Sequence, residues 1–65
     1  MVDEKDIYRS AALLIKQHAE EAWTEATTRY FTMKEKKDAD GMIVWRRIAR
    51  AINTLNEVIS HGPVH

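Results

Sequence analysis

His18 and Glu21 stand three residues apart, the spacing that puts two side chains on one helix face and that could begin a metal site. One imidazole and one carboxylate fall short of the ligand set that zinc needs. His61 and His65 lie in the last five residues, and no His-Glu-x-x-His run is present. His18 therefore reads as a structural residue at a helix end, its ring satisfying a backbone carbonyl. Glu20, Glu21 and Glu25 form an acidic strip. Paired carboxylates do acid/base work inside a cleft, and a domain this small is not expected to offer one. Ser10 lacks the strained turn of a hydrolase nucleophile. Gly41 stands alone, without a glycine-rich phosphate loop, and reads as a first-turn position that gives a neighbouring helix room. No set of residues is left to carry catalysis, a cofactor or a metal, so the chain is expected not to be an enzyme.

A second candidate chemistry is contact with nucleic acid. The stretch "DADGMIVWRRIARAI", residues 38–52, interleaves Arg46, Arg47 and Arg50 with Trp45 and branched aliphatic residues. At about 100° per residue, Trp45, Ile48, Ile52, Leu55 and Ile59 fall within about 80° of one another. Arg46, Arg50, Asn53 and Glu57 take the opposite side, with Arg47 nearby. The arginines are thus interleaved in sequence and separated in space, which is ordinary amphipathic patterning. They could still contact phosphates and give salt-dependent binding. Against this, Glu57 shares their side, and no helix-turn-helix or zinc-finger signature is present. Ten Lys and Arg balance ten Asp and Glu, seven against seven in residues 1–37 and three against three in residues 38–65. A neutral chain has little electrostatic pull on nucleic acid or an anionic membrane.

These side chains must be positioned by helices. The 65 residues contain two glycines, one proline and no cysteine, and no segment alternates as a strand would. Disulfides and thiolate metal sites are excluded. The fold class is all-α: a small three-helix domain with helices over about 4–17, 20–36 and 39–60. The second and third helices form an antiparallel hairpin across Lys37–Asp40. Residues 1–60 make one domain and residues 61–65 a flexible tail. Asp3 and Asp38 are N-cap candidates, with Asp6 and Asp40 in the positive first turns. The first helix packs through Ile7, Ala11, Leu14 and Ile15, with His18 on the same stripe. The second presents Ala22, Trp23, Ala26, Tyr30 and Met33, and the third Trp45, Ile48, Ile52 and Leu55. The join at "KQHAEEA" has neither glycine nor proline, so one helix from Glu4 to Lys36 is the competing reading. A break is preferred because the apolar stripe changes phase near His18. The longest apolar run, Ala11 to Ile15, is far too short to span a bilayer. The acidic start, Met1 to Asp6, is unlike a secretion signal. A cytoplasmic location is expected.

Leu13, Phe31 and Ile43 lie off the main apolar stripes of their helices. Three displaced apolar residues in so short a chain could form one patch, bordered by Arg46 and Arg50, for a partner or a second copy. A domain of this size buries only about 60% of its unfolded surface and commonly gains stability from association. The expectation is a non-catalytic protein-interaction module that self-associates, with a dimer favoured. A nucleic-acid-associated regulator using Arg46, Arg47 and Arg50 is the alternative.

Two blocks, "YRSAALLIKQHAEEA" and "DADGMIVWRRIARAI", resemble a family of short bacterial proteins of unknown function. Its pattern runs Arg-Ser-Ala-x-Leu-Leu-Ile-x-x-His-Gly, then an Arg-bearing helix, then Gly-Asp-x-x-Gly-x-x-Val-Trp-x-Arg-Ile. Arg9, Ser10, Ala11, Leu13, Leu14, Ile15 and His18 match the first block. Arg29 matches the middle helix. Asp38, Gly41, Val44, Trp45, Arg47 and Ile48 match the second block. Ala19 and Lys37 stand where the pattern has glycine. Alanine disfavours the left-handed C-cap that glycine adopts, which strengthens the single-helix alternative here. The resemblance implies an all-helical fold and no known activity, cofactor or catalytic residue. It also implies a polar network of His18, Arg29, Asp38 and Trp45 around the helix ends, with Arg29 pairing an aspartate of the 38–40 turn.

Overall fold

The computed structural model describes residues 3–60, and side chains as far as residue 58. Helix α1 spans Glu4–His18, a 3₁₀ turn spans Ala19–Glu21, α2 spans Ala22–Glu35 and α3 spans Ala39–Ser60. The described residues are all-α, with three α-helices, and the break between α1 and α2 is present. The tail at 61–65, including His61 and His65, lies outside the described residues, as does the side chain of Ile59.

The two breaks are made differently. At the first, Ala19 turns the chain with φ 50° and ψ −118°, while its N–H still donates to the carbonyl of Ile15. A side chain rarely adopts such a backbone, because Cβ crowds the neighbouring peptide. At the second, α2 ends in a Schellman turn. Lys37 N–H donates to Lys34 O at 3.1 Å, and Asp38 N–H to Met33 O at 2.9 Å. Lys37 occupies the positive-φ position at 57°. Asp38 then caps α3, its Oδ1 accepting from Gly41 N–H at 3.0 Å.

Gly41 has little room for a side chain. A Cβ there would stand 2.6 Å from Met33 Sδ and 2.9 Å from Asp38 Oδ2. Met33 meets α3 at Gly41, and Arg29 meets it at Trp45. Residue numbers fall along α2 as they rise along α3, so the hairpin is antiparallel.

Helix α3 packs against both of the others. The core consists of Ile7, Ala11, Leu14, Ala22, Ala26, Ile48, Ala49, Ala51 and Ile52. Five of these nine are alanines, which let the helices approach closely but bury little apolar surface each. Ile52 is the one large side chain that is fully buried among the described residues. Ile15, Val44, Trp45 and Leu55 are half-buried and pack against this core.

Helix α2 is held by this packing more than by its own residues. Thr24, Thr27, Thr28 and Thr32 are β-branched and lower helix propensity. Their hydroxyls turn back on the helix: Thr27 and Thr28 donate to Thr24 O at 3.0 and 2.8 Å, and Thr32 to Thr28 O at 3.0 Å, which satisfies the hydroxyls without strengthening the helix.

Two expectations about the interior need correction. Trp23 is 45% exposed and lies outside the core. Ala22 and Ala26 set where α2 touches its neighbours, and Trp23 falls to one side of that line, where no third helix covers it. His18 is exposed, and its ring makes no hydrogen bond among the described residues. The helix ends at His18, and the Ile15 carbonyl, one turn back, is already satisfied by Ala19 N–H. Among the described residues, no helix is long and apolar enough to cross a membrane.

Candidate functional site

Helices α2 and α3 leave a groove on the side that α1 does not cover. Its walls are Trp23, Thr27, Tyr30 and Phe31 from α2, and Arg46, Ala49, Arg50 and Asn53 from α3; it encloses about 520 Å³. A smaller hollow of about 180 Å³ continues it toward the hairpin turn through Tyr30, Met42, Ile43 and Arg46. Tyr30 and Arg46 border both, so one surface runs from Trp23 to Ile43. No α1 residue lines either part.

The groove is built from local rules. Tyr30 and Phe31 meet edge to face, with centroids 5.3 Å apart. Adjacent residues point about 100° apart on a helix, so Tyr30 is half-buried in the groove while Phe31 stands out at 56% exposure. Ile43 is equally exposed. On α3, Ile43, Arg46, Arg50, Asn53 and Glu57 recur at spacings of 3, 4, 3 and 4, and all five are exposed. That cadence matches the buried stripe of Trp45, Ile48, Ile52 and Leu55. The helix therefore carries two faces of the same pitch, one apolar and covered, one charged and open.

Phe31, Ile43, Arg46 and Arg50 come together on the groove. Leu13 does not; it is 53% exposed on α1. Trp23 and Tyr30 belong to the groove although their sequence pattern assigned them to the core. Their positions relative to Ala22 and Ala26 were the available signal, since the alanines mark the line of closest approach. Arg47 faces a different hollow, between α1 and α3, with Glu4, Tyr8 and Arg50.

His18, Arg29, Asp38 and Trp45 do not form one network. His18 and Asp38 flank the fourteen residues of α2, about 21 Å of helix. Arg29 pairs with Glu25, Nε to Oε1 at 3.0 Å, rather than with an aspartate of the turn. An i,i+4 carboxylate is already within reach on the same helix face, whereas Asp38 is engaged in capping α3. The Arg29 guanidinium lies 5.2 Å from the centroid of the Trp45 ring. Among the described residues, no three His, Asp or Glu side chains converge to hold a metal.

Fold and groove together define a small all-α domain whose α2–α3 face is open, aromatic and cationic. Comparison of the chain with protein-family models, with curated proteins and with solved structures finds no match to any of them.

Proposed function

We propose that the chain is a non-catalytic interaction module that acts through the α2–α3 groove and associates with itself. The observation that carries this is the groove's composition. Trp23, Phe31 and Ile43 expose apolar surface along one continuous face of a domain whose core is mostly alanine. Aromatic residues with arginines at their border are the composition of helix-in-groove recognition. Association would add the burial that so small a core lacks.

Sedimentation equilibrium from micromolar to millimolar concentration tests the reading. The parent chain is expected to dimerise, and Trp23→Glu to remain monomeric with its helicity intact. A parent chain that is monomeric throughout would remove self-association.

Membership of the resembled bacterial family is part of the same proposal. Its support is local: the two non-glycine residues with positive φ, Ala19 and Lys37, are the two positions where the family pattern has glycine.

A further inference from the structure

We infer that the occupant of the groove is a second copy of this chain, laid antiparallel so that Arg46 of each copy faces Glu57 of the other. The inference rests on the self-association reading and specifies its geometry. The open stripe of α3 reads, in order, apolar, cation, cation, amide, anion: Ile43, Arg46, Arg50, Asn53, Glu57. Stacked on a parallel copy, it would set Arg46 against Arg46 and Glu57 against Glu57. Turned antiparallel about a point between Arg50 and Asn53, it sets Arg46 opposite Glu57 and Arg50 opposite Asn53. An arginine fork can donate to either partner, a carboxylate or an amide oxygen.

The same axis accounts for Trp23. Trp23 and Thr27 line the groove together with Arg50 and Asn53, so they lie beside that midpoint. The most exposed aromatic surface of α2 near the axis is then covered by its own counterpart. An acidic amphipathic helix from another protein could also engage Arg46 and Arg50. Glu57, on the same stripe, would repel it, whereas a second copy uses Glu57 at both ends of the contact. Zero formal net charge leaves no long-range repulsion between copies.

Charge exchange on the full chain tests this arrangement, read as the dimer dissociation constant. Arg46→Glu alone sets carboxylates against each other at both ends, and Glu57→Arg alone sets guanidinium groups against each other. Each is expected to weaken the dimer by about tenfold, the scale for two exposed charge pairs changed together. An equimolar mixture of the two variants should recover parental affinity as a heterodimer, because both ends are complementary again. The chain carrying both exchanges should also recover it, which serves if one single variant folds poorly; circular dichroism monitors that. A parental dimer that ignores these changes, or single variants that weaken without recovery on mixing, overturns the antiparallel pairing and leaves self-association standing. A parental monomer overturns both.

Discussion

The Arg29 guanidinium is held 5.2 Å from the Trp45 ring while its Nε binds Glu25 at 3.0 Å. One side chain of α2 thus covers the half-exposed aromatic of α3 and is itself anchored one turn back. Arg29→Ala is expected to lower stability by about 1 kcal/mol, through loss of the stacked cation and of the stem that packs on the ring. Arg29→Lys should lose about half of that, since a compact ammonium stacks less well. In a Trp23→Phe background Trp45 alone reports, and its emission should shift to the red in Arg29→Ala. Unchanged emission would show that the guanidinium does not shield the ring.

Ala19 and Lys37 hold backbone that glycine adopts freely. Ala19→Gly and Lys37→Gly are each expected to stabilise the domain by about 1 kcal/mol, net of the extra entropy that glycine brings to the unfolded chain. For a chain of this size that is a rise of about 4–8 °C in the thermal midpoint. The substitutions lie at opposite ends of α2, so their effects should add. A fall in the midpoint for either would contradict the strained backbone assigned there.

Asp38 has one specific task, the hydrogen bond to Gly41 N–H at the start of α3. Asp38→Ala should cost about 1 kcal/mol, and Asp38→Asn or Asp38→Ser much less, because either retains an acceptor. Urea denaturation of the three variants checks the order. Equal losses for all three would assign the effect to charge and not to the cap.

Ile52 is the one large side chain with no exposure among the described residues, in a core otherwise filled by alanines and three larger neighbours. Ile52→Ala is expected to cost about 3 kcal/mol. A core of this size rarely supplies more than about 3–5 kcal/mol in total, so the variant should lose its cooperative melt. Leu13→Ala, at an exposed position, should change the midpoint little. A sharp, near-parental transition for Ile52→Ala would show that the core lies elsewhere.

Periodicity made much of this architecture legible. The 3–4 spacing of Ile7, Ala11 and Leu14 and of Trp45, Ile48, Ile52 and Leu55 located the buried faces of α1 and α3, because one helix repeat determines which side chains share a side. Asp38 was recognisable as a cap from its polar turn and the helix behind it. Helix α2 was harder. Its threonines blur the pattern, and the spacing that places Trp23 and Tyr30 with Ala22 and Ala26 does not show which of them is covered.

The features legible before the fold are therefore local: an all-helical chain, the turn before α3, and the separation of arginines from aliphatic residues around α3. Each follows from hydrogen bonds and side-chain directions within a few residues. On α2, by contrast, the cover of each apolar residue depends on where the other two helices sit. Ala22 and Ala26 bring α2 against its neighbours and so turn Trp23 outward, and α1 packs on one side of the hairpin and leaves the other open. Burial depends on the position of a second and a third helix, and a helical repeat carries no information about where those lie.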